Sequence, residues 1–160
     1  LFEQGKTPFL LLLDRLTDVR NFGAIVRTAE CAGVHAVVIT QKGFARIGED
    51  AIKTSAGTIY RIPVCRTSNI SDTAEFLKNS GLQLVAVTEK SDRYYYNLDY
   101  KIPTVLVMGS EDRGISGKLL ACVDSAVKIP LSGSIESLNV SVAAGIIMYE
   151  VVRQRHLASG

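Results

Sequence analysis

The sequence predicts an α/β fold, with a mostly parallel sheet flanked by helices, because two kinds of segment alternate along it. Short, continuous apolar runs alternate with longer segments in which apolar residues recur at helical spacing. Parallel strands need crossovers of helix length, so this alternation is typical of strand–helix–strand units. A chain of 160 residues, 47% of them hydrophobic, suits one compact domain. With no linker or repeat in it, we expect a single domain over 1–160.

The first half of the chain predicts three strands and three helices. Residues 9–13 are continuously apolar and predict a buried strand, and 36–39 predict a second. Between them, 22–32 predict a helix that Gly33 ends and whose apolar face carries Phe22, Ile25, Val26 and Ala29. A short helix over 50–55 and a strand over 59–64 follow. The next helix covers 72–79, and Gly81 is suited to cap its C-terminus.

The second half predicts three more strands and two helices. Apolar runs over 82–87 and 104–108 predict strands, and the polar, tyrosine-rich stretch 89–101 between them predicts a loop. A helix over 117–123 and a strand over 126–129 follow a Gly-rich turn. The chain then continues as a long apolar helix from 138 to about 154. Its apolar residues Ile146, Ile147, Tyr149 and Val151 cover more than one face, which favours a homodimer.

Composition excludes several classes of protein. Mean hydropathy is +0.19, yet no apolar run approaches a membrane span, and no secretory signal is recognisable, so we expect a cytoplasmic protein. Three cysteines without a CxxC pair predict reduced, mostly buried thiols. His35 and His156 are far apart, so we expect no metal site. A net charge of +2 permits an anionic partner without requiring one.

Ligands of open α/β sheets bind where strands give way to loops, and the first such junction runs from Asp14 to Arg27. Here Asn21 could cap the helix, with Arg27 one turn in and paired with Glu30. The same Asn and Arg could equally belong to a polar binding site. The residues alone leave both interpretations open.

Two further junctions carry polar residues beside apolar strands. Residues 108–114 read Met-Gly-Ser-Glu-Asp-Arg-Gly, and such glycines let the backbone approach a ligand closely, although a plain charged turn is an alternative. The stretch matches neither the Walker A pattern nor GxGxxG, which argues against ordinary nucleotide binding. Residues 129–140 place small polar residues before the last helix, where Ser137 or Asn139 could cap it or line a pocket.

Two weaker features concern nucleic acid. Arg93 and the tyrosines at 94–96, with Tyr100, could stack on bases, or form an exposed or partner-facing loop. The stretch 53–57 could meet phosphates or be a solvated helix end.

Together, the three junctions resemble the three signature motifs of the SpoU/TrmH family of RNA ribose 2'-O-methyltransferases, in the SPOUT superfamily. The first motif is similar to residues 21–29, the second to 108–114, and the third to 129–133 followed by 137–141. Two positions depart from the pattern: Asp112 stands where the second motif often has Gly, and Val19-Arg20 replaces a frequent Pro. Residues 35–38, 53–57 and 150–155 are similar to the bacterial enzymes that methylate a guanosine of 23S ribosomal RNA.

The resemblance implies a fold and partners that the residues alone do not. It implies a SPOUT fold with a C-terminal trefoil knot that holds S-adenosylmethionine. It also implies a homodimer whose active sites draw on both chains, and an RNA substrate, most directly rRNA. Many members carry an N-terminal RNA-binding domain, which we expect to be absent from this chain because it starts at Leu1 rather than Met.

The resemblance also implies roles for individual residues. The catalytic group comprises Asn21, Arg27, Glu111, Ser137 and Asn139, and the cofactor-binding group comprises Thr88, Met108, Gly109, Ile129, Leu131 and Leu138. Because guanidinium groups stay protonated in proteins, we expect Arg27 to hold phosphate and stabilise alkoxide charge rather than act as a base. Glu111, or a substrate phosphate through water, would accept the proton. Competing hypotheses are a tRNA ribose 2'-O-methyltransferase, a Rossmann-like nucleotide-binding enzyme and a non-catalytic RNA-binding module.

Overall fold

A computed structural model describes residues 1–41, 57 and 61–158 and confirms the α/β class. The strands are β1 (Phe9–Asp14), β2 (Ala36–Thr40), β3 (Val64–Thr67), β4 (Gln83–Val87), β5 (Thr104–Gly109) and β6 (Ser125–Val127). The helices are α1 (Val19–Cys31), α2 (Ile70–Asn79), α3 (Gly117–Leu120) and α4 (Val140–Ala158), with short 3-10 helices at Phe2–Gln4 and Tyr95–Asn97. The strands form one sheet of order β3-β2-β1-β5-β4-β6, in which all neighbours are parallel.

The sheet separates two apolar layers. Alternate residues of β1 point to opposite faces, so Leu11 and Leu13 enter one core cluster while Leu10 and Leu12 enter the other. The first cluster contains the apolar faces of α1 and α4, which pack on each other. The second contains residues of α2 and α3. Helices on both faces bury the whole central strand, which explains its uninterrupted apolar sequence.

Several predicted boundaries were wrong. Of the strand expected over 59–64, residues 59 and 60 lie outside the described residues, and within the described part the strand begins at Val64, because Pro63 offers no N–H to a ladder and restricts the residue before it. The helix expected over 50–55 lies outside the described residues. The last strand ends at Val127 instead of 129, and α3 ends at Leu120 instead of 123.

The start of α1 also differs from the prediction. Asp18, not Asn21, is its N-cap: the Asp18 carboxylate accepts hydrogen bonds from the backbone N–H groups of Arg20 (2.8 Å) and Asn21 (3.0 Å). The helix therefore begins at Val19, and Arg27 lies two turns into it rather than the expected one. The expectation of mostly buried thiols was wrong as well, because Cys31 and Cys65 are exposed. Within the described part of the chain, no helix combines the length and apolarity needed to cross a membrane.

Candidate active site

A cavity of about 460 Å³ opens at the carboxyl ends of β4, β5 and β6. Its volume falls within the range of roughly 300–1,000 Å³ that small-molecule sites occupy. The walls come from the three loops that follow these strands and from the first turn of α4. All six residues predicted to bind a cofactor line it: Thr88, Met108, Gly109, Ile129, Leu131 and Leu138. The cavity therefore joins the second and third of the predicted junctions.

The loop after β5 forms one wall, and its glycines allow backbone to approach backbone. A Cβ atom at Gly109 would fall deep inside van der Waals contact of the main chain of Gly114 and Ile115. Gly114 has a positive φ of 63°, which suits glycine, and its N–H donates to the carbonyl of Ser110 (2.8 Å). The two glycines thus allow the two ends of the loop to pack against each other. The sequence had predicted only that they let the backbone approach a ligand.

Arg15 and Asp14, for which the sequence predicted no function, hold this loop in place. Arg15 directly follows β1, and its guanidinium donates to the carbonyls of Arg113 (2.9 Å) and Gly114 (3.0 Å). Asp14 is 2% exposed and accepts a hydrogen bond from the backbone N–H of Ser116 (2.7 Å). Arg15 adopts a φ of 57°, which is uncommon for a residue with a side chain. In the sequence, the only local sign that Asp14 and Arg15 hold the loop is that an acidic and a basic residue end a long apolar run.

Three predicted catalytic residues meet at the start of α4. The Asn139 side-chain oxygen accepts hydrogen bonds from the N–H groups of Ser141 (2.9 Å) and Val142 (3.3 Å), so Asn139 caps the helix. Its side-chain amide donates to the side-chain oxygen of Asn21 on α1 (3.1 Å). The Glu111 carboxylate accepts from the N–H of Val140 (2.8 Å). Asn139 therefore caps α4 and also lies beside Asn21, so a capping role and a role in a polar site do not exclude each other.

The remaining two predicted catalytic residues, Ser137 and Arg27, differ in their position relative to the cavity. Ser137 is exposed and lines the cavity. Arg27 is exposed on α1, outside the cavity lining, and about 9 Å beyond Asn21 along the helix axis, at 1.5 Å per residue. Arg27 and Glu30 could have formed an ion pair, but the described residues form none between these two side chains. One chain therefore does not by itself place Arg27 at the cavity.

The charged groups at the cavity mouth belong mainly to the β5 loop. Asp112, the departure from the family pattern, is fully exposed, and a hydrogen bond from the Ser110 side chain lowers the pKa of its carboxyl group. Asp112 therefore adds a negative charge at the rim, beside Arg113 and Glu111. In the described ranges, no group of three or more His, Cys, Asp or Glu side chains is arranged to hold a metal ion.

The family model described as "SpoU rRNA Methylase family" matches residues 8–149. The 23S rRNA (guanosine-2'-O-)-methyltransferase RlmB of Yersinia pestis is 38% identical over 157 residues, which cover 98% of this chain and 64% of the relative. The chain thus spans less than two thirds of the length of that relative.

Solved structures agree with the family match. The A. aeolicus TrmH/SpoU tRNA modifying enzyme has a TM-score of 0.88 and 32% identity, covering 96% of this chain and 78% of that one. The SpoU methyltransferase AviRb from Streptomyces viridochromogenes, solved in complex with the cofactor AdoMet, has a TM-score of 0.88 and 30% identity, covering 97% and 63%. Because the family model matches residues 8–149, which include all three motifs, this chain belongs to the SpoU rRNA methylase family.

Proposed function

We propose that this protein transfers a methyl group from S-adenosylmethionine to a ribose 2'-hydroxyl of ribosomal RNA, at a guanosine of 23S rRNA. The observation that carries the proposal is the cavity, because it gathers the second and third family motifs around one space. The name of the Yersinia pestis relative supports the guanosine, and the AdoMet complex of AviRb supports the cofactor. A ribosomal RNA substrate would place the protein in the cytoplasm.

The residues of the cavity fit S-adenosylmethionine. Met108, Ile129 and Leu138 supply apolar surface for an adenine ring, while Thr88 and the loop backbone at Gly109 supply hydrogen-bonding groups for the polar parts. When bound, the cofactor supplies an already activated sulfonium methyl group. The protein then has to bind, orient and desolvate the ribose hydroxyl, and it needs no covalent nucleophile.

The proton of the ribose hydroxyl needs an acceptor, and the developing alkoxide needs a cation. Glu111 reaches the start of α4 with one carboxylate oxygen, so its other oxygen is the one we assign to the proton, directly or through water. We assign the orientation of the ribose to Asn21 and Asn139, which hydrogen-bond to each other, and the methionine tail of the cofactor to Ser137, which lines the cavity. We assign Arg27 to the substrate phosphate and the alkoxide charge.

We also propose a homodimer. Val142 and Tyr149 on α4 are each 50% exposed, and Ile146 is half-buried, although Ile147 and Val151 are fully covered by their own chain. A second copy covering this surface would bury the exposed apolar groups. It would also explain why Arg27 does not line the cavity of its own chain, since each Arg27 would serve the site of the partner.

The path of the chain supports a trefoil knot in the C-terminal region. β6 lies at the sheet edge beside β4, where the Lys128 N–H donates to the carbonyl of Arg93 (2.8 Å). From there the chain returns past the carboxyl ends of β4 and β5 to α4, which packs against α1. This returning segment lines the cavity together with the loops after β4 and β5, and the carboxylate of Glu111 in the β5 loop accepts a hydrogen bond from the first residue of α4. We propose that this passage is the threading step of a knot.

A tRNA substrate is the second candidate. The A. aeolicus structure, named a tRNA modifying enzyme, favours it. A Rossmann-like nucleotide-binding enzyme loses its support, because family membership accounts for all three motifs.

Methyl transfer and cofactor binding test the proposal. Calorimetry should detect S-adenosylmethionine and its demethylated product but no comparable binding of NAD or ATP; saturable NAD or ATP binding without a response to S-adenosylmethionine would refute the assignment. Transfer of labelled methyl groups to protein-free 23S rRNA and to tRNA then separates the two substrates.

The Arg27→Ala variant tests the catalytic assignment. Its rate should fall about a hundredfold or more, corresponding to roughly 2–4 kcal/mol, while cofactor affinity and unfolding stay unchanged. Arg20→Ala, another exposed arginine of α1, is the matched control and should retain its rate. Full activity of Arg27→Ala in a folded protein would exclude the assigned role.

A further inference from the structure

An exposed aromatic and basic surface lies beside the cavity and has no role in the chemistry assigned above. It consists of Arg93, Tyr94, Tyr96 and Lys128, and we term it the tyrosine platform. Tyr94 and Tyr96 are 38% and 46% exposed, and their rings stack with centroids 5.5 Å apart and an interplanar angle of 23°. The amino group of Lys128 lies 5.4 Å from the centroid of the Tyr94 ring. The surface therefore presents flat aromatic rings together with positive charge.

The rings are held by backbone that is fixed to the sheet. Tyr95 donates its N–H to the carbonyl of Lys128 (2.9 Å), directly beyond β6, and the Ser91 hydroxyl donates to the carbonyl of Ala126 (2.7 Å). The Tyr95 ring packs against the main core cluster and meets Tyr96 edge to face at 5.1 Å. Because the platform is already ordered, a ligand that stacks on it loses little free energy to ordering of the protein.

The chemistry of the platform suits an unpaired nucleobase on a phosphate backbone. Every base has a flat π face that stacks on tyrosine, and the flanking cations attract phosphates. The exposed Arg93 takes part in no ion pair among the described residues, so its charge is available. An apolar protein partner would instead have to desolvate both cations without compensation.

The platform is also continuous with the cavity wall. Lys128 directly precedes Ile129, which lines the cavity, and Lys90, four residues before Tyr94, lines it as well. A nucleotide on the platform would therefore sit next to the site where a neighbouring ribose is handled. We propose that the tyrosine platform stacks an unpaired base of the RNA substrate, next to the nucleotide that is methylated; this rests on the proposed function.

Binding of a single-stranded RNA tests the platform directly. The probe is an end-labelled oligoadenylate of about 12 nucleotides, whose affinity for the 160-residue chain is measured by fluorescence anisotropy. The double variant Tyr94→Leu with Tyr96→Leu removes both π faces from exposed positions and should raise Kd at least about fivefold. Phenylalanine at both positions keeps the rings and should leave Kd within about twofold of the wild type. Phe76→Leu, which changes a 68% exposed aromatic residue on α2, should have no effect.

Each alternative outcome has a defined meaning. An unchanged Kd in the double leucine variant overturns the proposal. If light scattering gives this variant half the mass of the wild-type protein while its RNA affinity is unchanged, the two tyrosines form a contact between copies of the chain. That result also overturns the proposal. Calorimetry also measures S-adenosylmethionine binding to each protein. If the double leucine variant loses RNA affinity but still binds the cofactor, the result supports the platform. If the wild-type protein does not bind the cofactor, the proposed methyl transfer is refuted, and the RNA measurement still tests the platform separately.

Discussion

Replacing Gly109 with alanine would place a Cβ atom against the main chain of Gly114 and Ile115, well inside van der Waals contact. Main-chain atoms cannot rotate away as the end of a side chain can, so the loop after β5 has to open. Opening breaks the hydrogen bond from the Gly114 N–H to the Ser110 carbonyl (2.8 Å). It also displaces the carbonyl of Gly114 that Arg15 binds. The substitution therefore tests whether tight closure of this loop builds the cavity.

The magnitude follows from two losses. Overpacking a closed site costs about 1–3 kcal/mol, and one broken hydrogen bond adds about 1 kcal/mol, so we expect the free energy of unfolding to fall by about 2–4 kcal/mol. Urea denaturation measures this fall, and calorimetry should show weaker binding of S-adenosylmethionine because the opened loop is a cavity wall. Gly117→Ala is the matched control, since a Cβ atom there meets nothing within 4 Å. If Gly109→Ala is as stable as Gly117→Ala and binds the cofactor equally well, the reasoning fails.

Two further predictions concern α4. Light scattering should give twice the 17.3 kDa mass of the chain, and Tyr149→Glu should give the monomer mass because it puts a charge into the proposed interface. For Glu150, a hydrogen bond from the Arg153 guanidinium lowers the pKa of the carboxyl group below its ordinary 4.5. The ionised form therefore stabilises the fold above pH 4.5, and this contribution disappears as the pH falls through the lower pKa of the folded state. The difference in unfolding free energy between wild type and Glu150→Gln should accordingly shrink in acid, as urea denaturation at several pH values would show.

Both of these predictions have clear contradicting results. A monomer mass for the wild-type chain at all concentrations would argue against the homodimer. A stability difference for Glu150→Gln that stays constant from neutral to acid pH would show that the carboxylate charge makes no contribution. Leu157→Gln, at an exposed position of the same helix that carries no titratable group, offers a control substitution.

The predicted strands at the centre of the sheet were accurate, whereas the periphery was not. β1, β2 and β5 differ from the predicted spans by one residue each, because a strand covered on both faces is a continuous apolar run with sharp ends. β3 and β6 lie at the sheet edges, where exposed and half-buried residues weaken that signal. The strand order itself depends on contacts between distant segments, which local patterns do not encode.

The cavity residues were predictable, but the groups that hold them were not. All six residues expected at the cofactor line the cavity. Five of them belong to the second and third motifs, and the sixth, Thr88, directly follows β4. The role of Arg15 could not be predicted from local sequence, because its partners Arg113 and Gly114 are 98 and 99 residues away. Asp18 and Asn21 are both good caps in sequence, and only the backbone geometry shows that the first begins α1.

The packing of α4 on α1 has a consequence for synthesis of the protein on the ribosome. The apolar face of α1, including Ile25 and Val26, shares one core cluster with Ile147 of α4. Asn21 and Asn139, which hydrogen-bond across these helices, are 118 residues apart. At roughly 5–20 residues per second, translation reaches the second of them about 6–24 s after the first. Throughout that interval the part of the α1 surface that α4 covers stays exposed in the nascent chain, which favours aggregation during translation.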